Sequence, residues 1–139
     1  MIYMGVDYGD ARTGIASTDA GGTLAVTKGS ITEYNKQKLA QKLSDKMKEL
    51  NAEAIVMGLP LNMNGTEGER ALKTKELAKI LEEEYNCKVI LWDERCTTVM
   101  AHNIMNFTDT RGKKRKQTVD SLSAVLILQS YIDFKNKNL

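Results

Sequence analysis

Two cysteines and one histidine are all that 139 residues offer of the soft metal ligands. Cys87 and Cys96 are too few for a disulfide framework and form no Cys-x-x-Cys pair, which favours a reducing compartment. With His102 the sole histidine, there is no zinc site and little support for a Ser/His/Asp triad, and Cys96 has no evident base, so it reads as a small filler. The longest strongly apolar run, AVLIL at 124–128, is far short of the roughly 20 residues of a membrane span. No charged-then-apolar leader precedes the first strand. A cytoplasmic protein with no membrane partner is therefore expected. Twenty Lys and Arg stand against eighteen Asp and Glu, a net +2, so any attraction to a polyanion must come from a local patch.

A composition 42% hydrophobic and 27% charged, with one proline and ten glycines, describes one ordinary globular domain over residues 1–139. At this length roughly two-thirds of the unfolded surface can be buried. Periodicity and turn residues predict strands at 1–7, 12–18 and 23–31. Leu39, Leu43, Met47 and Leu50 then recur at helical spacing, predicting an amphipathic helix over 35–50. AEAIVMGLP (52–60) reads as a fourth strand stopped by Gly58 and Pro60. Thr66 with Glu69 has the spacing of a capping box and predicts a helix to about Tyr85. CKVILWDER (87–95) reads as a fifth strand. Thr97 or Thr98 can cap a short helix to about Asn106, and Thr118 a last one to about Phe134. The order βββαβαβαα describes an α/β fold: a five-stranded mixed sheet with helices on both faces, because parallel strands require crossovers.

In such sheets ligands meet the carboxyl ends of the strands, and three of those ends are unusual. The first finishes at Asp7, the fourth in GLPLN with Gly58 and Asn62, and the fifth in Asp93, Glu94 and Arg95. Asp120 falls in the first turn of the last predicted helix, a placement that complementing the helix dipole would also explain. An aspartate ending an apolar run costs desolvation unless paired, solvated or bound to a cation. Hard carboxylate oxygens suit Mg²⁺ or Mn²⁺. Strand alternation says only that Asp93 and Glu94 cannot face the same way. Trp92 reads as core and His102 as surface. TRGKKRK (110–116) brings Arg111, Lys113, Lys114, Arg115 and Lys116 together just before Asp120, and is expected to be a solvated loop between two helices. Basic residues beside carboxylates make sense together around a phosphodiester backbone held with a cation.

DYGDARTGIASTD, VMGLPLNMNGTEGERA, DERCTTVMA and VDSLSAVLILQSYI, in this order along nearly the whole chain, resemble the YqgF (RuvX) family of the ribonuclease H-like superfamily. The resemblance implies a ribonuclease H-like fold and a metal-dependent nuclease. Its expected work is maturation of the 5′ end of pre-16S ribosomal RNA; the alternatives are resolution of Holliday junctions in DNA, or a non-catalytic RNA-binding, ribosome-associated module. Carried over by position, Asp7, Glu94 and Asp120 are the catalytic and metal-binding acids, with Asp93 as fallback for the second. Asp7 and Asp120 are expected to share one Mg²⁺, and Asp7 and Glu94 a second. Arg12, Asn62, Arg95 and the cations of 111–116 are expected to contact nucleic acid, structured RNA or a DNA junction, in a monomer or homodimer. Related resolvases carry a further acid one turn after Asp120, where this chain has Ser123 and Ala124.

Overall fold

A computed structural model describes residues 1–94 and 112–137, with side chains in the last helix described from Leu122 onward. The strands are β1 (Tyr3–Asp7), β2 (Arg12–Thr18), β3 (Ala25–Thr32), β4 (Ala54–Leu59) and β5 (Val89–Asp93), and the helices α1 (Lys36–Glu49), α2 (Glu69–Tyr85) and α3 (Gly112–Lys137). They form one mixed sheet in the order β3-β2-β1-β4-β5. β2 runs antiparallel to both β1 and β3, as short turns allow, while β4 lies parallel to β1 and β5 parallel to β4. The expected α/β class and mixed sheet with helices on both faces are what the chain adopts. The short helix expected before Asn106 lies outside the described residues.

Alternation along the strands sorts two cores. Met4, Val6, Ile15, Ile55 and Met57 face Leu39 and Leu43 of α1 and Leu77 and Leu81 of α2. On the other face Tyr3, Ala16, Ala54 and Val56 meet Ala124, Ile127, Leu128 and Ile132 of α3. The α3 face is built from small residues, so the helix lies close to the sheet. A Cβ on Gly5 would come within 2.8 Å of the Leu128 Cβ and 2.9 Å of the Ala124 carbonyl oxygen. Trp92 belongs to this core: its Nε1 donates to Ser130 Oγ at 3.1 Å, and its ring meets Tyr131 edge to face and Phe134 at a tilt.

Two local expectations are corrected. Asn35 caps α1, its side chain accepting from the Lys38 N–H, but Thr66 does not cap α2. That helix starts after Gly68 with no side-chain cap, because the Thr66 hydroxyl is taken up inside the preceding turn, donating to Asn64 Oδ1 at 2.6 Å. The second correction concerns the basic run. Lys113, Lys114, Arg115 and Lys116 are not in a loop but in the opening turns of α3, which begins at Gly112 and not at Thr118. Lys, Arg and Gln are good helix formers and no proline intervenes, so the backbone continues helical toward its amino end past the point where apolar periodicity stops.

Candidate active site

Asp7 closes β1 opposite Gly14 of β2. It is two residues from Gly5, whose Cβ position abuts α3, so alternation puts it on the α3 face. Its neighbour on the other side follows from the β1–β4 register, in which Val6 pairs with Met57. The next residue of β4 is Gly58, which pairs in turn with Trp92. Asp7, Gly58 and Trp92 therefore form one row at the carboxyl edge of the parallel strands.

Glu94 lies just past β5 and turns back over that row. A Cβ on Gly58 would sit 2.7 Å from Glu94 Cγ, 2.9 Å from Glu94 Oε1 and 2.6 Å from Ile127 Cδ1. The Glu94 side chain thus occupies the space that Gly58 leaves empty, between β4 and α3, on the face where Asp7 ends β1. Both carboxylates are partly buried. Of the two acids at the end of β5, Glu94 is the one on Asp7's face, while Asp93 continues the opposite face begun by Val89. Two hard carboxylates on one face fit a divalent cation of the Mg²⁺ type, which is commonly held by one or two carboxylates together with substrate phosphate. Among the described residues no three His, Cys, Asp or Glu side chains gather as a metal site.

Asp120 belongs to α3, and its position can be placed from the backbone. The helix runs antiparallel to β1, with Tyr131 against Tyr3 and Ala124 above Gly5. Asp7 is two strand residues beyond Gly5, about 6.6 Å at 3.3 Å per residue. At 1.5 Å per residue this equals about four residues of helix; Ala124 and Leu128 both abut Gly5, so counting back from the pair puts the stretch 120–124, with Asp120 at its outer end, along the level of Asp7. Arg12, partly buried, opens β2 and lies two residues from Gly14, on the face that Asp7 shares.

Asn62 is drawn into its own loop. Its backbone N–H donates to the Thr66 carbonyl at 2.9 Å and its Nδ2 to Thr66 Oγ1 at 3.0 Å, so it fastens the turn after β4. Arg95 and Arg111 lie outside the described residues, as do Cys96 and His102. Around the β1–β2 turn, Lys73 of α2 sits 3.6 Å from Asp10 and 3.5 Å from Glu69. Asp10 and then Glu69 raise its pKa above the usual lysine value. The sequence pointed to Gly58 only as backbone; its role as the seat of Glu94 shows in the geometry.

The family model described as "RuvX: Holliday junction resolvase" matches residues 1–134. The chain belongs to the RuvX family. Relatives in Ruminiclostridium cellulolyticum and Bacillus subtilis, each named "Putative pre-16S rRNA nuclease", share 42% identity over 134 residues and 38% over 138. These alignments cover 96% and 98% of this RuvX-family chain and 94% and 100% of the relatives. The fold also matches solved structures of Thermus thermophilus RuvC with a Holliday junction substrate (TM-score 0.59, 11% identity, covering 97% of this chain and 96% of that one) and of the Fowlpox virus resolvase with junction DNA (0.56, 13%, 97% and 99%). At such identities these likenesses speak for a resolvase-type, ribonuclease H-like fold.

Proposed function

We propose that this RuvX-family member is a hydrolase that cuts phosphodiester bonds in structured nucleic acid, and that its substrate is the 5′ end of precursor 16S ribosomal RNA. The observation that carries this is the convergence of Asp7 and Glu94 across Gly58 at the carboxyl edge, beneath the helix that carries Asp120. Asp7 and Glu94, with Asp120 as third acid, would hold Mg²⁺ or Mn²⁺; when bound, that cation supplies an acidified water and offsets phosphate charge. Arg12 on the same face offers a guanidinium to the non-bridging oxygens, where negative charge grows as the phosphorus becomes five-coordinate. Lys113, Lys114, Arg115 and Lys116 bind backbone phosphates and orient the strand without reading bases. Asn62 acts through the shape of its turn. The relatives' printed names favour the ribosomal RNA substrate. The family's own description favours a second reading, cleavage of four-way DNA junctions, which would call for two active sites and hence a homodimer.

The test offers both substrates side by side, precursor ribosomal RNA and a four-way junction, with Mg²⁺ and with EDTA. Cleavage of the RNA with Mg²⁺ alone is expected. Asp7→Asn should lower the rate by at least about two orders of magnitude while binding in EDTA persists, since separate residues carry the two tasks. A mutant that cleaves at the wild-type rate removes Asp7 from the site, and a wild type that cuts only the junction transfers the activity to DNA.

A further inference from the structure

The turn between β4 and α2 is more tightly fastened than a surface connection requires. Leu61 and Glu67 form an antiparallel bridge across it. Inside that bridge the Asn62 N–H donates to the Thr66 carbonyl at 2.9 Å and the Gly65 N–H to the Asn62 carbonyl at 2.8 Å. The Asn64 carboxamide oxygen accepts from both the N–H and the hydroxyl of Thr66, at 3.1 and 2.6 Å. Gly65 has φ +85°, which the turn needs and other residues resist. Outside the bridge, Glu67 pairs with Lys75 and so ties the loop to α2. What this scaffold presents is Met63, 89% exposed and the most exposed large apolar side chain among the described residues.

One exposed apolar residue is ordinary. Met63 is set apart by its support and its place. It follows Gly58, the seat of Glu94, by five residues, so at most about 18 Å of extended chain separates them, the reach of a few nucleotides. A long, polarisable, unbranched side chain on a rigid support is a shape that enters a base step. We propose that Met63 is a wedge that inserts into the stack of a helical nucleic acid beside the scissile phosphate. This rests on the nuclease reading and narrows its substrate class to paired, stacked strands that must open at one step to reach the acids. The fixed turn means that little order has to be gained when the wedge enters.

The test uses the full chain with RNA hairpins and four-way junctions carrying 2-aminopurine at successive positions, whose fluorescence rises on unstacking. Working in EDTA keeps cleavage out of the signal. Wild type should brighten the probe at one or two adjacent positions. Met63→Ala should abolish that rise and Met63→Leu should keep it, with the salt dependence of binding unchanged in both. With Mg²⁺, Met63→Ala should slow cleavage of the paired substrate about tenfold or more and stay within about twofold of wild type on an unpaired strand of the same sequence. Thermal stability, measured alongside, should not move. A bound wild type that brightens no position, or a Met63→Ala protein that brightens as well as wild type, overturns the wedge. Met63-dependent brightening without Mg²⁺-dependent cleavage would keep the wedge and sink the nuclease reading.

Discussion

Gly58→Ala is the smallest change that separates the seat of Glu94 from its chemistry. One methyl is added, and it would lie 2.6 Å from Ile127 Cδ1, 2.7 Å from Glu94 Cγ and 2.9 Å from Glu94 Oε1. None of these separations is tolerable for carbon, so the neighbours must shift. Ile127 is 1% exposed on the sheet-facing side of α3, which leaves it little room, whereas Glu94 is only partly buried and yields first. Overpacking of this kind costs about 1–3 kcal/mol. At about 4 °C per kcal/mol for a chain of this size, the melting temperature should fall by about 4–12 °C. Displacing the carboxylate by about 1 Å should cost up to about 100-fold in cleavage rate, while nucleic-acid binding in EDTA holds. The attribution can be checked by coupling. Glu94→Ala removes both Glu94 contacts, so Gly58→Ala should cost less in that background, with a coupling of about 0.5–3 kcal/mol. Ile127→Val removes Cδ1 and should give a smaller coupling of the same sign. Melts and single-turnover cleavage of the four variants of each cycle provide the numbers. If Gly58→Ala melts with the wild type and cleaves at full rate, Glu94 does not depend on the hollow at Gly58, and the site has been built from the wrong contact.

Replacing Lys113, Lys114, Arg115 and Lys116 with glutamine should weaken nucleic-acid binding and flatten its salt dependence by close to one log-log unit per lost phosphate contact. It should also raise the melting temperature at low salt, because cations in the first turn oppose the helix dipole by about 0.3–1 kcal/mol each; equal or lower stability would contradict a helix starting at Gly112. Asp19 fastens the β2–β3 turn, accepting from the Thr23 and Leu24 N–H groups at 2.9 and 3.3 Å, and the Thr23 N–H leads in holding its pKa below the usual carboxylate value. Its contribution is therefore complete above the unfolded-state pKa and lost as pH falls through the lower folded-state value, so Asp19→Asn should flatten the loss of stability below about pH 4 in acid melts, and an unchanged acid limb would refute that.

The strands were legible because each apolar run is bounded by Gly, Asp or Thr, and α1 because Leu39, Leu43, Met47 and Leu50 repeat at helical spacing. The two misreadings have physical causes. Thr66 and Glu69 have capping-box spacing, but spacing does not reveal competition, and the Asn-rich turn captured the Thr66 hydroxyl first. The opening of α3 carries no apolar stripe, so periodicity had nothing to detect there while the residues' helix propensity did. The choice between Asp93 and Glu94 was illegible for a related reason. Val89, Ile90, Leu91 and Trp92 are all apolar, as in strands covered on both faces, so no alternation marks which acid joins Asp7. Only the packing of Ile90 and Trp92 toward α3 and the closeness of Glu94 to Gly58 decide it. Gly58 looked like a strand stop, and Gly5 drew no notice inside its strand, yet both are places where something else must come close.

That closeness bears on how a short sheet supports the proposed acid site together with the basic run of 113–116. Gly5, Ala16, Ala54 and Gly58 lower the profile of one face, and α3 answers with Ala124, so the helix lies near the strands and brings its stretch 120–124 to the level of Asp7. At 26 residues α3 is about 39 Å long, whereas the five residues of β1 span about 17 Å. The helix therefore overruns the sheet. Its amino end projects beyond the carboxyl edge, and counting back from 120–124 at 1.5 Å per residue puts 113–116 at least about 6 Å past the level of Asp7. The same helix thus seals the core, carries Asp120 and extends the basic run outward. A phosphate backbone lying along that projection would offset the charge that the helix dipole disfavours there, so binding and completion of the helix's first turns would stabilise each other. Asp7 can end an apolar strand because that end is only partly buried, on the face where Glu94 lies over Gly58 and Arg12 opens β2.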